Sequence, residues 1–578
     1  MNIYKDYLNF LKDTVLLLKK KHKYEFDIND IFSKITLEPP KNLSHGDMST
    51  NIAMLLAPKF KKKPFEIAEI FKEQINTFPG IKSVSIAGPG FLNIILDHLT
   101  WSNCLHKILL NPDDWDQINI GKGSNVNLEY ISANPTGPLH AGHARGAVFG
   151  DALASLLSKV GFNVTKEYYI NDAGSQIEKL VQSSILRYHE CLGDKITVIP
   201  KGLYPGDYLK EVGNALFIKY NNKLKSYDKD EIFKIVSELS LKIMLDNIKI
   251  DLLKLGIKMD VYTSEQKIVS SDLLSNVISI LERKNLLYKG VLAPPKGMKT
   301  EDWETREQLL FKSSNYGDDA DRALQKSDGS WTYFATDMAY HLDKINRTNG
   351  NLINVLGADH TGYISRINAA VNALSDSKIS IDTKVCSLVN LLEDGKPLKM
   401  SKRAGTFVTL SDIIDAVGKD VLRFIMLTRR NDQSLDFDFK KVKEKSKENP
   451  VFYVQYAYAR CHSIFKAADT VKENLNPNNL NLLKAEEELN LIKFISLWPR
   501  ILELAAKHHE PHRICFYLIE LASNFHGLWN KGSDKPELKF IVEDNLDLTN
   551  ARLSLVKAVA LTISKGLNIL KIEPIKEM

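Results

Sequence analysis

This 578-residue chain has little of several things that would assign it to a specialised class. Its five cysteines, Cys104, Cys191, Cys386, Cys461 and Cys515, lie far apart with no C-x-x-C pair. Such spacing gives neither a zinc ligand set nor a disulfide framework, so no metal site is expected and a reducing compartment fits. No apolar run reaches the roughly 20 residues that span a bilayer. The opening Met1-Asn2-Ile3-Tyr4-Lys5-Asp6 has neither a signal-peptide core nor an Arg-rich transit pattern. A cytoplasmic location with no membrane partner is therefore expected. A dominant charge is missing too: the formal balance is +6, too small to announce a nucleic-acid partner. Residues 1–63 carry a local surplus, 12 Lys against 7 acids, ending in Lys61-Lys62-Lys63. Taken alone, that run reads as solvated surface.

What is present is the composition of an ordinary globular protein, long enough for three or four domains. The start is helical, with Tyr7, Phe10, Leu11, Val15 and Leu18 on one stripe. Gly88-Pro89-Gly90 leads into an apolar strand-like stretch at 91–96, giving a small α+β domain closed by Asn111-Pro112-Asp113-Asp114. Val126, Leu128 and Tyr130 then alternate as in a strand. A Pro- and Gly-rich loop follows, then a helix with Val148, Ala152, Leu156 and Val160 on one side and Gly161 placed to end it. Val164 to Ile170 alternates again, completing a βαβ unit of a parallel sheet.

A mostly helical insertion with strand-like pieces, interrupting the sheet, is expected at about 178–300. A second sheet half follows: a strand at 352–356, a helix at 364–374, and a strand at 385–392 ending in the turn Glu393-Asp394-Gly395-Lys396. Beyond 441 the period is helical. The predicted fold class is α/β: a Rossmann-type catalytic domain over 119–440, flanked by an α+β domain (1–118) and an all-α bundle (441–578).

Two motifs carry chemistry. His140-Ala141-Gly142-His143 stands where the first strand gives way to its helix, the crevice at which α/β sheets bind anions. Two imidazoles three apart at a helix start can reach one phosphate, and Gly142 permits close backbone approach. The alternatives are ordinary polar residues at a helix start, or a metal pair. The latter lacks both the H-E-x-x-H glutamate and a third ligand. Far downstream, Lys399-Met400-Ser401-Lys402-Arg403 places two lysines three apart before Ala404-Gly405, suited to a mobile loop reaching a triphosphate. Such a basic turn alone is more often solvated.

Together the two motifs resemble the HIGH and KMSKS signatures of the class I aminoacyl-tRNA synthetases, with Arg403 in place of the final Ser. Within that class the flanks resemble arginyl members. The stretches are Ser44–Asp47, Ala87–Phe91, Glu129–Pro138, Tyr169–Gln176, Trp331–Asp337, Gly357–Tyr363 and Asn449–Arg460. The resemblance implies attack of the arginine carboxylate on the ATP α-phosphate, then transfer to the 3′ end of arginine tRNA. ATP enters as a substrate accompanied by Mg²⁺, with no permanently bound cofactor. His140, His143, Lys399 and Lys402 would act on the phosphates, with Gly142, Met400, Ser401, Asp359 and His360 completing the ATP site.

Glu129, Ser132, Asn134, Tyr333 and Asp337 would surround the arginine, whose planar guanidinium suits carboxylate acceptors. Residues 1–118 would grip the tRNA outer corner, His45 among them. Tyr453, Tyr456, Tyr458, Arg460 and Trp529 would meet the anticodon arm, although aromatics at helical spacing are more often core. A monomer is the family expectation. Three rivals remain: a small-molecule nucleotidyltransferase, which would not carry the lysine loop; a cysteinyl sibling, which would show zinc-ligand cysteines; and an inactive tRNA-binding paralogue, which should have lost a histidine or lysine.

Overall fold

The computed structural model describes residues 2–40, 42–196, 198–292, 306–398, 408–468 and 477–578. The N-terminal helix Ile3–His22 is capped by Asn2, which accepts from the Lys5 amide, and ends where Lys23 turns left-handed. Its buried Tyr4, Tyr7, Leu11, Val15 and Leu18 recur every three to four residues. They help cover a four-stranded antiparallel sheet. Its order is Leu37–Glu38, Met48–Thr50, Phe91–Leu96, Ile81–Ala87. Gly88 and Gly90, at φ +51° and +133°, make the reversal between the last two strands.

The central sheet has five strands in the order Ile381–Cys386, Asn351–Gly357, Asn125–Glu129, Asn163–Ile170, Val261–Ser264, all parallel. Chain order runs outward in both directions from the junction of Asn125–Glu129 and Asn351–Gly357. That junction is a topological switch point, and the carboxyl ends of its strands form the crevice where such sheets take ligands. The helix Ala141–Lys159 follows the first strand and packs closely on it: a Cβ on Gly150 would lie 2.3 Å from the Tyr130 ring. Gly161, at φ +91°, ends the turn after that helix.

Two expectations needed revision. The described residues of 178–300 are mostly helical, but one strand among them, Val261–Ser264, joins the edge of the central sheet instead of standing apart in an insertion. The single strand expected at 385–392 is two strands in different sheets. At Ser387 the backbone amide donates to Asn431 instead, Leu388 faces solvent, and Val389–Glu393 pairs with Leu435–Asp438. Alternation of apolar residues cannot reveal such a change of partner.

The C-terminal bundle contains Pro450–Ala467, Glu486–Ser496, Trp498–His508, His512–Asp534 and Leu546–Ile569. Buried charges join it to the rest. Asp116 receives Lys159 and Lys565 at 3.0 Å each and the Trp498 indole at 3.0 Å. Arg423, fully buried, donates to Asp151 and to the carbonyls of Leu570 and Leu255 at 2.7, 2.7 and 3.0 Å. Lys493 of the bundle meets Asp47 of the N-terminal sheet at 2.7 Å.

Candidate active site and tRNA-facing surface

His140 is the N-cap of the helix Ala141–Lys159. Its Nδ1 accepts from the Gly142 amide at 3.1 Å, and its own amide donates to His143 Nδ1 at 3.2 Å. The two rings lie 3.9 Å apart, so both imidazoles border the positive end of the helix dipole. A Cβ at position 142 would come within 3.0 Å of the His140 ring. Gly142 thus keeps the pair together as well as keeping the surface open. Lys399, Met400, Ser401 and Lys402 lie outside the described residues. The chain is described again at 408, and Thr409 makes an antiparallel bridge to His140 while the Leu410 amide donates to the Leu139 carbonyl at 2.8 Å. Thr409 caps the helix Leu410–Val417, so the segment following the second motif is tied to the first.

Asn134 and His143 share a cavity of about 160 Å³ with Gly137, Tyr204 and Tyr208. Behind it the backbone bends sharply: Ile131 and Ser132 both take positive φ, +74° and +39°. The bend puts Ser132 Oγ in reach of Glu129 Oε1, to which it donates at 2.9 Å, and of the Tyr169 amide, from which it accepts at 3.0 Å. Glu129 is buried at the end of its strand.

Beside it stands Asp337, on the helix Tyr333–Thr348, with Tyr363 donating to its carboxylate. Burial, opposed by that hydrogen bond and reinforced by Glu129, raises Asp337 to about 6. Tyr333, one turn earlier, is exposed, with its hydroxyl near Gly174. Asp359 and His360 sit exposed beyond the strand Asn351–Gly357, 3.5 Å from one another.

Sequence reasoning missed Glu265. It opens a short helix directly after the edge strand Val261–Ser264, buried and with Oε2 lacking any hydrogen-bond donor. Burial first, then Asp337 and Asp172, raise it to about 7. The buried Tyr169 hydroxyl is likewise unpartnered, and its pKa is raised by burial and by Glu265, Asp337, Glu129 and Asp172. Three acids stand together here with Glu265 Oε2 and the Tyr169 hydroxyl unpartnered, and no cation is paired to Asp337 or Glu265 among the described residues, an arrangement able to accept a multiply donating cation.

In the bundle, Arg460 lies over the rings of Tyr456 (4.5 Å) and Trp529 (4.9 Å) and donates to the Tyr456 hydroxyl at 2.8 Å. Tyr453 and Tyr456 both pack on the buried His526, which burial lowers to about 4. His526 was not anticipated. Tyr458 does not join this group: it turns to the other side, buried, lining a cavity of about 480 Å³ with His462, Phe465 and Leu553. Positions 453, 456 and 460 share one helical face, and 458 cannot. In the N-terminal domain His45 is exposed at the end of a short 3₁₀ turn.

A parallel sheet with a paired-histidine helix start at its switch point, a lysine motif leading into a segment bridged to it, and flanking domains on both sides define a class I aminoacyl-tRNA synthetase. Residues 104–455 match the description "tRNA synthetases class I (R), catalytic domain". Residues 12–96 match "Arginyl tRNA synthetase N terminal domain", and 454–578 match "DALR anticodon binding domain". The chain is 50% identical over 559 residues to arginine–tRNA ligase of Rickettsia bellii, covering 96% of this chain and 97% of the relative. It is 50% identical over 578 residues to that of Wolbachia pipientis, covering all of both. The chain therefore belongs to the arginyl-tRNA synthetase family. Its fold is shared with the Thermus thermophilus arginyl-tRNA synthetase, at TM-score 0.70, 19% identity and coverage of 94% and 96%. The Plasmodium falciparum enzyme gives 0.72 at 17% identity, covering 100% and 99%.

Proposed function

We propose that this chain activates L-arginine with MgATP, releasing pyrophosphate, and passes the arginyl group to the 3′ end of its tRNA. The observation that carries the reading is the cluster of Glu129, Asp337 and Glu265 at the carboxyl end of the sheet, the end from which the paired-histidine helix starts. His140 and His143 stabilise charge on the phosphates as it redistributes, and Lys399 and Lys402 draw off the pyrophosphate. Gly142, Met400, Ser401, Asp359 and His360 border the nucleotide. Asn134, Ser132 and Glu129 take the α-carboxylate and α-ammonium end, which must face the nucleotide for attack to occur. Asp337, Tyr333 and Glu265 take the guanidinium, whose planar fork matches several unpaired acceptors where an ammonium would leave some unmet. Tyr453, Tyr456, Arg460 and Trp529 present ring faces and a cation to the anticodon arm, and His45 lies on the domain meeting the outer corner. The protein acts as a cytoplasmic monomer.

An aminoacylation assay on total tRNA with each of the 20 amino acids tests this reading. Arginine alone should be attached, with lysine discriminated by about 10⁴-fold or more, as sites built around polar groups allow. Charging of another amino acid at a comparable rate would overturn it.

A further inference from the structure

Lys344 is fully buried and takes no part in the steps above. It stands two turns beyond Asp337 on the helix Tyr333–Thr348, so both project from one face. Its Nζ donates to Glu129 Oε2 at 2.8 Å and to Asn354 Oδ1 at 2.7 Å. Asn354 in turn donates to Nε2 of His341, at 3.2 Å, whose Nδ1 donates to the Asp337 carbonyl at 2.7 Å. Burial and then Lys344 lower His341 to about 4, so this ring stays neutral and adds no second cation. The Tyr340 hydroxyl lies 3.1 Å from both Glu129 Oε2 and Glu167 Oε1 and shares its one proton between them, and Ser132 donates to Glu129 Oε1.

Three side chains from two directions therefore lock one carboxylate, and one of them is a cation. A buried ion pair adds little stability over a well-packed apolar pair, so stability alone does not account for an ammonium in this position. The contrast with the neighbouring acids gives a reason. Arginine brings two cations, a compact ammonium and a broad guanidinium, into one pocket. Glu129, already half compensated, suits the single-point ammonium, whereas Asp337 and Glu265 retain the free acceptors that a planar fork requires.

Building on the function proposed above, we propose that Lys344 is a positioning residue for the amino-acid substrate. With Tyr340 and Ser132 it fixes the Glu129 carboxylate as the α-ammonium anchor and so sets which cationic end of the arginine faces the nucleotide.

The test is a double-mutant cycle on the full-length enzyme, with arginine, ATP and tRNA each varied in turn and melting temperature recorded. Lys344→Met should raise the arginine KM about 10-fold or more, the usual scale for losing a hydrogen bond to a charged group, and leave the ATP and tRNA KM within about 2-fold. It should also lower Tm by leaving Glu129 uncompensated. Adding Glu129→Gln to Lys344→Met should restore Tm, yet hold the arginine KM at the level of Glu129→Gln alone. If Lys344→Met does not fold, Tyr340→Phe decides, with an expected rise of about 3-fold in arginine KM alone. An unchanged arginine KM, additive effects in the cycle, or equal changes in all three KM values would overturn the proposal. An arginine KM untouched by Glu129→Gln would instead count against the pocket reading on which it rests.

Discussion

Two clusters of buried charge behave in opposite ways. Around Asp116 and Arg423 the groups are matched: Lys159, Lys565 and Trp498 converge on Asp116, and Arg423 spends its donors on Asp151 and two carbonyls. Despite its burial, Asp116 is held below the usual carboxylate range by the Trp498 hydrogen bond and by Lys159 and Lys565. Around Asp337 and Glu265 the matching stops, and both carboxyls are pushed upward. A matched cluster fixes domains. An unmatched one, costly when empty, is explained by a cationic ligand that completes it. Glu129 stands between the two, supplied with a cation by its own chain.

The comparison is broken most severely at the matched cluster. Arg423→Met leaves buried Asp151 with only the distant Tyr130 hydroxyl and Lys166, at 3.4 and 3.8 Å, and should destabilise the protein by about 3 kcal/mol, measured by denaturant unfolding. The arginine KM of the folded fraction should stay near that of the parent; a large change there would mean that the cluster also shapes the pocket.

The unmatched cluster should respond with the reverse sign. Glu265→Gln should raise the arginine KM by about 10- to 100-fold, as for the loss of a charge-assisted hydrogen bond. Yet its free form should be more stable than the parent above pH 7, because the raised carboxyl binds protons more tightly folded than unfolded and loses stability as pH climbs through about 7. Equal or lower Tm in the variant at pH 8 would contradict this.

The same shifts give a pH dependence. Guanidinium binding requires both acids ionised, so arginine affinity should strengthen by about 10-fold as pH rises from about 5.5 to 7.5, through the values of Asp337 and Glu265. Facing them are Tyr363, Tyr169, Asp172 and Glu129. The upper part of the rise should vanish in Glu265→Gln; calorimetric titration with arginine at several pH values checks both points. The smallest effect belongs to the half-buried aromatic face of the bundle. Trp529→Ala should raise the tRNA KM by about 5- to 10-fold, on the scale of one lost base-stacking contact, and leave the arginine KM unchanged.

What the sequence made legible was local. The paired histidines, the strand–loop–helix around them, and Tyr333 with Asp337 one turn later each follow from a few neighbouring residues. Glu265 was hidden because its place in the pocket depends on Val261–Ser264 returning to the sheet edge from a stretch that reads as helical insertion. The run Val261-Tyr262-Thr263-Ser264, rich in β-formers and ending in a helix cap, was the available signal. Lys344 gave none, since lysine is the residue least expected in a core and only the sheet brings Glu129 to it. Tyr458 was separable from Tyr453, Tyr456 and Arg460 by helical phase alone.

The central claim, that the unmatched acids hold the guanidinium of arginine, is tested most directly by steady-state charging of Asp337→Asn with each substrate varied in turn. The substitution keeps the shape but removes the charge and turns one acceptor into a donor. The arginine KM should rise by about 100-fold, in line with an uncompensated buried charge, while the ATP KM stays within about 2-fold. A change confined to ATP, or none at all, would remove Asp337 from the pocket and contradict the account.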